Sequence, residues 1–162
     1  MVKTTLSKAE LEQQKKWDKR FMDVARLVST WTNCARTDRA VGAVIVRERR
    51  IVATGYNGAP ANIMSCAERG GCMRKEQNIA SGTQMEKCYS VCAEQNSIAQ
   101  AAKMGHEADG GTMYITHSPC SICARLIINA GIKRVVFGER YPEDFTLSLF
   151  KEAGIELVQY KE

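Results

Sequence analysis

Thr112-Met113-Tyr114-Ile115-Thr116, followed after two residues by Pro119-Cys120-Ser121-Ile122-Cys123, reads as a strand that delivers a cysteine pair to the start of a helix. Pro119 suits the first helical position, and Gly131 stops the helix after Ala130. Upstream, Cys92-Ala93-Glu94 opens a second helical stretch, Val91 to Met104, with Ala93, Ile98, Ala99 and Ala102 broadly on one side and Gly105 as its end. Downstream come a strand at Lys133 to Phe137, a helix from Phe145 to Ala153 stopped by Gly154, and a last strand from Ile155 to Tyr160.

Towards the N-terminus, Val41 to Val46 and Ile51 to Tyr56 form two β-prone runs joined by a charged turn, Arg47 to Arg50, and closed by Asn57-Gly58-Ala59-Pro60. They predict a hairpin. Before it, Leu6 to Ser29 reads as one long helix: Leu11, Trp17, Phe21, Val24, Ala25 and Val28 recur at three- and four-residue steps, and Ser7 with Glu10 has capping-box spacing. Trp17 and Phe21 are expected in the core or an interface. The order helix, hairpin, helix, strand, helix, strand, helix, strand predicts a three-layer α/β domain with a mixed five-stranded sheet, one domain over residues 1–162.

Ala61 to Lys87 has no sustained periodicity and is interrupted by Gly70, Gly71 and Gly82. So long an irregular stretch in a compact domain is usually functional or held by something other than a core, and Cys66, Cys72 and Cys88 are the candidate holders.

Composition narrows the chemistry. The chain has 162 residues, 44% hydrophobic and 25% charged, enough for a core without staples. No apolar run reaches membrane-spanning length, and Met1 to Arg20 is too polar for a signal segment, so a cytoplasmic protein is expected. The net charge of +5 is spread out, which suits a small anionic ligand better than nucleic acid. In that setting seven cysteines point to metal ligation, not to a disulfide framework.

Cys92, Cys120 and Cys123 supply three soft ligands for zinc, leaving a fourth tetrahedral position for water, as catalytic zinc requires. A purely structural zinc would need a fourth protein ligand, for which His117 and Cys88 are nearest in sequence. Helix N-termini favour thiolates at these positions. Glu94, two residues beyond a ligand, can take a proton from the metal's water and pass it to a substrate. Three thiolates leave the centre with net negative charge, which the helix dipoles or Arg125 are expected to offset.

These motifs resemble those of the zinc-dependent cytidine and deoxycytidylate deaminases, and in particular the bacterial and phage deoxycytidylate (dCMP) branch. The similarity runs from about Asp23 to Tyr160 and includes Val41 to Val46, Gly55-Tyr56-Asn57-Gly58-Ala59-Pro60, Cys92-Ala93-Glu94-Gln95-Asn96, Tyr114 to Cys123 and Ile128-Asn129-Ala130-Gly131-Ile132. The first zinc ligand is Cys92 where the common motif has His.

The resemblance implies a cytidine-deaminase-like fold and hydrolysis of dCMP to dUMP and ammonia, a supply of dUMP for thymidylate synthesis. It implies that Cys92, Cys120 and Cys123 hold zinc and that Glu94 moves the proton. It further implies that Asn57 bonds the sugar hydroxyl, that the backbone of Ala93 and of Thr116 to Ser118 reads the pyrimidine edge, and that Tyr141 lies against the base or sugar. The family's phosphate arginine follows an element matched here by Asn33-Cys34-Ala35-Arg36, which makes Arg36 and Arg39 the candidates. Also implied are a homo-oligomer, with a hexamer favoured, and activation by dCTP and inhibition by dTTP with magnesium at Tyr56, Asn57 and Gly58. A second zinc is implied at Cys66, Cys72 and Cys88, with Cys34 or an acidic residue as fourth ligand. The rivals are a deaminase acting on a modified dCMP, on cytidine or on a tRNA base, and a non-catalytic nucleotide-sensing zinc scaffold.

Overall fold

The structure is a computed structural model that describes residues 7–80, 83–139 and 143–161. Helix α1 spans Lys8–Ser29; its cap is the expected box, with the Ser7 amide donating to Glu10 Oε2 at 2.8 Å and the Glu10 amide donating to Ser7 Oγ at 3.3 Å. Strands β1 (Gly42–Arg47) and β2 (Arg50–Tyr56) form the hairpin. Its two turn residues, Glu48 and Arg49, both have left-handed φ, the geometry that matches strand twist although neither is Gly or Asn.

The remaining elements are α2 (Met73–Glu76), α3 (Ala93–Met104), β3 (Thr112–His117), α4 (Ser121–Asn129), β4 (Arg134–Glu139), α5 (Asp144–Glu152) and β5 (Glu156–Gln159). The sheet order is β2-β1-β3-β4-β5; β1 is antiparallel to both neighbours, and β3, β4 and β5 are parallel. Parallel neighbours need a crossover, supplied by α4 and α5. This is the mixed five-stranded sheet that the alternation predicted.

Residues alternate between the faces of each strand. Val44, Val46, Tyr114 and Val136 meet Phe21, Met22, Ala25 and Val28 of α1 on one face. Ala43, Ile45, Met113, Ile115, Val135 and Phe137 meet Ala93, Ala101, Ala124, Ile127 and Phe150 of α3, α4 and α5 on the other. Trp17 packs against the first cluster, its ring 5.5 Å from Phe21. At Gly42 a Cβ would lie 2.1 Å from Ala25 O, and at Gly55 one would lie 2.3 Å from Ala93 O, so the hairpin is squeezed between α1 and α3 at two glycines. A buried ion pair also fastens α1, with Arg134 donating to both oxygens of Asp18 at 2.7 and 2.8 Å and the Tyr114 hydroxyl donating to Asp18 Oδ1 at 2.8 Å.

Two sequence expectations need correction. Pro119 lies outside the helix: Cys120 is the N-cap and Ser121 the first helical residue, because the chain stays extended through Cys120 (ψ 168°). The stretch from 61 to 87 is not held by cysteines alone. It contains α2 and a short 3₁₀ turn, Met85–Lys87, and buried Arg74 gathers it by donating to the carbonyls of Ala80 (2.9 Å) and Thr83.

Candidate active site

Cys92 caps α3 and Cys120 caps α4, so both sulfurs stand where first-turn amides have no helical acceptor. Cys123, in the first turn of α4, is fully buried. The sulfurs of Cys92, Cys120 and Cys123 lie within 4.8 Å of one another, the one such group of His, Cys, Asp and Glu side chains among the described residues. A Zn–S bond of about 2.3 Å in tetrahedral geometry needs sulfurs roughly 3.8 Å apart, which this cluster accommodates.

Hydrogen bonds from the thiols of Cys123 and Cys92, and from the amides of Cys123 and Ile122, pull Cys120 far below the usual thiol range. Their bonds to the Cys120 sulfur, together with burial, hold Cys92 and Cys123 in the thiol form. Three sulfurs this close could all become thiolates only with a cation among them, and the donor set is that of a soft divalent metal.

Glu94, the second residue of α3, is 5% exposed. Burial pushes its pKa up to about 7, opposed in part by a hydrogen bond from Cys123. The N-terminus of α3 is fixed by Gln95, whose Oε1 accepts from the Cys92 amide at 3.3 Å, and by Asn96, whose side chain donates to Tyr56 O at 2.8 Å.

The other sequence candidates divide. Ala93 is fully buried at the first position of α3. Gly58 exchanges backbone hydrogen bonds with Val91 at 2.8 and 3.2 Å, which ties the loop of Tyr56, Asn57 and Gly58 to the residue before Cys92. Asn57 is already engaged: Oδ1 accepts from the Val41 amide at 2.8 Å and Nδ2 donates to Arg39 O at 2.9 Å. One lone pair and one N–H remain for a ligand. The Ser118 amide donates to Glu139 O at 2.7 Å. Arg36 and Arg39 both pair with exposed Asp38, at 3.4 and 3.8 Å. Tyr141 lies outside the described residues.

The second-metal candidates do not converge as three. Cys66 is buried with its sulfur 3.6 Å from Ser90 Oγ, and Cys34, pushed up by burial, also feels the charges of Cys66 and Cys88. Cys72 instead lines a polar hollow with Arg36, Asp38 and Lys75. Arg125, offered as a counter-charge, sits over the Phe145 ring at 5.8 Å.

Residues 15–139 match the model of the cytidine and deoxycytidylate deaminase zinc-binding region. The chain belongs to this deaminase family. It is 39% identical over 147 residues to the deoxycytidylate deaminase of Schizosaccharomyces pombe, covering 89% of this chain and 44% of that protein. It is 37% identical over 144 residues to the ComE operon protein 2 of Bacillus subtilis, covering 88% and 70%. The chain thus spans less than half of the fission-yeast relative. Among solved structures, the dCMP deaminase of cyanophage S-TIM5 in complex with dCMP and dUMP superposes with a TM-score of 0.71 at 28% identity, covering 96% of this chain and 100% of that one.

Absent from the sequence motifs is Glu143, the N-cap of α5, whose Oε2 accepts from the Ser121 amide and from the Thr146 hydroxyl, both at 3.1 Å. The spacing Glu143-x-x-Thr146 was its one local signal. Its bond to α4 crosses 22 residues and leaves no trace in the pattern.

Proposed function

We propose that this deaminase hydrolyses the 4-amino group of dCMP, giving dUMP and ammonia. The observation that carries the reading is a buried carboxyl group, Glu94, beside a cluster of three cysteine sulfurs that can hold a metal. The dCMP deaminases among its relatives support the substrate.

Cys92, Cys120 and Cys123 would hold zinc, which when bound supplies an acidified water at its open position. With zinc held there, Glu94 would take one proton from the water adding to C4 and give it to N3 of the ring, then take the other from the new C4 hydroxyl and give it to the amine, which leaves as ammonia while C4 keeps the oxygen as a carbonyl. A group with a pKa near the working pH serves best in both directions. Burial keeps Glu94 from exchanging protons with bulk water. Ala93 offers an amide with no helical acceptor to the pyrimidine edge. Ser118, its own amide committed to Glu139, contributes through its other polar atoms. Asn57 uses its spare lone pair and N–H on the sugar hydroxyl, Tyr141 lies against the base or sugar, and Arg36 reads the phosphate, for which a planar guanidinium is suited.

The same reading extends to regulation and assembly. The backbone pairing of Gly58 with Val91 gives an effector at Tyr56, Asn57 and Gly58, such as dCTP or dTTP with magnesium, a direct route to Cys92. Exposed Ile122 and Leu126, one turn apart on α4, and Phe145 on α5 supply an apolar face for a homo-oligomer, a hexamer in this reading. A second zinc at Cys66, Cys72 and Cys88 with Cys34 would require these thiols to draw together, since Cys92, Cys120 and Cys123 are the one three-ligand cluster among the described residues. No described helix is long and apolar enough to cross a membrane, and a cytoplasmic location is part of the same proposal.

The test is ammonia release from dCMP, cytidine, dCTP and 5-methyl-dCMP, with zinc per chain counted on the same sample. Turnover of dCMP well above cytidine with bound zinc is expected. Equal turnover of cytidine would make this a nucleoside deaminase. Bound zinc without turnover, even with dCTP and magnesium added, would leave a sensor or scaffold.

A further inference from the structure

The first turn of α4 leaves three amides to be satisfied, those of Ser121, Ile122 and Cys123, since the Ala124 amide already bonds Cys120 O at 2.8 Å. The Ser121 amide goes to Glu143 Oε2 at 3.1 Å, and the same oxygen accepts from Thr146, which is 3% exposed. Glu143 is thus held by two bonds to one atom, one from the helix it caps and one from the helix that carries the cysteine pair. A carboxylate at a helix N-terminus is favoured by the dipole, and one that also accepts from the Thr146 hydroxyl is held against rotation.

We propose that Glu143 is a positioning residue for the metal centre: by taking the Ser121 amide it fixes the first turn of α4, which carries Cys120 at its cap and Cys123 within it, so that the three sulfurs stay within one coordination sphere. This rests on the metal-ligand reading of Cys92, Cys120 and Cys123. Such partners of metal ligands commonly change metal affinity about 10- to 100-fold when removed.

The experiment compares full-length wild type, Glu143→Ala, Glu143→Gln and Thr146→Val. Zinc affinity is measured by competition with a chromophoric chelator, the thiolate-to-metal absorption is recorded with cobalt(II) in place of zinc, and thermal unfolding monitors the fold. Glu143→Ala should bind zinc about 10- to 100-fold more weakly and shift the cobalt–thiolate bands. Glu143→Gln keeps an acceptor oxygen for both bonds and should stay within about threefold of wild type, the neutral acceptor being only somewhat weaker. Thr146→Val keeps the carboxylate but frees it to rotate, and should fall between them; it carries the test if Glu143→Ala does not fold. Wild-type affinity and spectrum in both Glu143→Ala and Thr146→Val would overturn the proposal. So would equal losses in Glu143→Gln and Glu143→Ala, which would assign the effect to charge. A wild-type protein that takes up neither zinc nor cobalt at the cysteines would instead overturn the metal-site reading itself.

Discussion

Gly55 of β2 and Ala93 of α3 touch through backbone alone: a Cβ on Gly55 would lie 2.3 Å from the Ala93 carbonyl oxygen and 2.4 Å from the Ser97 amide nitrogen. Ala93 stands between Cys92 and Glu94, so the depth at which α3 sits on the hairpin sets the position of a metal ligand and of the proton carrier together. The obstructing atoms are helix backbone, which has no rotamer to yield. Gly55→Ala is expected to push α3 outward, cost about 2–3 kcal/mol as overpacking does at its upper end, and lower the zinc bound per chain. Urea unfolding and metal analysis on one preparation check both effects. An unchanged zinc content would mean that α3 shifts as a rigid unit with its partners.

Glu94→Gln separates proton transfer from binding. The amide keeps the size of the carboxyl but cannot carry a proton between water and ring. Turnover of dCMP should fall at least about 10²-fold, with zinc per chain and the dissociation constant for dUMP little changed. Because burial works against ionised Glu94, the neutral replacement should also leave the protein at least as resistant to urea as the parent. A variant with near-normal turnover would remove Glu94 from the mechanism.

Arg36 and Arg39 share Asp38, so neither distance nor exposure ranks them, and kinetics must. If Arg36 reads the phosphate, Arg36→Gln should raise KM for dCMP by about 10- to 100-fold, the equivalent of about 1.5–3 kcal/mol for a hydrogen bond to a charged group, while leaving cytidine turnover unaltered. Arg39→Gln keeps the backbone carbonyl that accepts from Asn57 and should change both substrates alike. The opposite pattern would give the phosphate to Arg39.

What the sequence made legible and what it hid follow one physical line. The elements came from local rules: apolar spacing in α1, glycines such as Gly105 and Gly131 in left-handed conformations at helix ends, and β-branched runs in β1 and β4. The cysteine cluster was legible because residue type and helix-start position together imply it. The pairs that fix one element against another were not. Asp18 and Arg134 are 116 residues apart, and Glu143 meets Ser121 across a helix, a strand and a turn. Arg74 escaped notice because its partners are carbonyl groups, which every residue has. The Pro119 misplacement arose because proline is equally at home just before a cap, where extended backbone suits it.

The Asp18–Arg134 pair is the strongest of these unseen contacts. Both side chains are nearly buried, at 9% and 11% exposure, and the guanidinium is bidentate. Removing one partner strands a charge, so Asp18→Leu should destabilise by about 3–5 kcal/mol; Glu156, 3.3 Å from Arg134 Nε but 62% exposed, softens this only slightly. Adding Arg134→Met should recover much of the loss, since a well-packed apolar pair can replace a buried ion pair at little cost. A double-mutant cycle in urea measures the coupling, and additive losses would show that the pair contributes no more than its separate packing. Activity per folded molecule should hold throughout: Arg134 opens β4, whereas the cysteine pair follows the far end of β3, so the contact fastens α1 without bearing on the metal site.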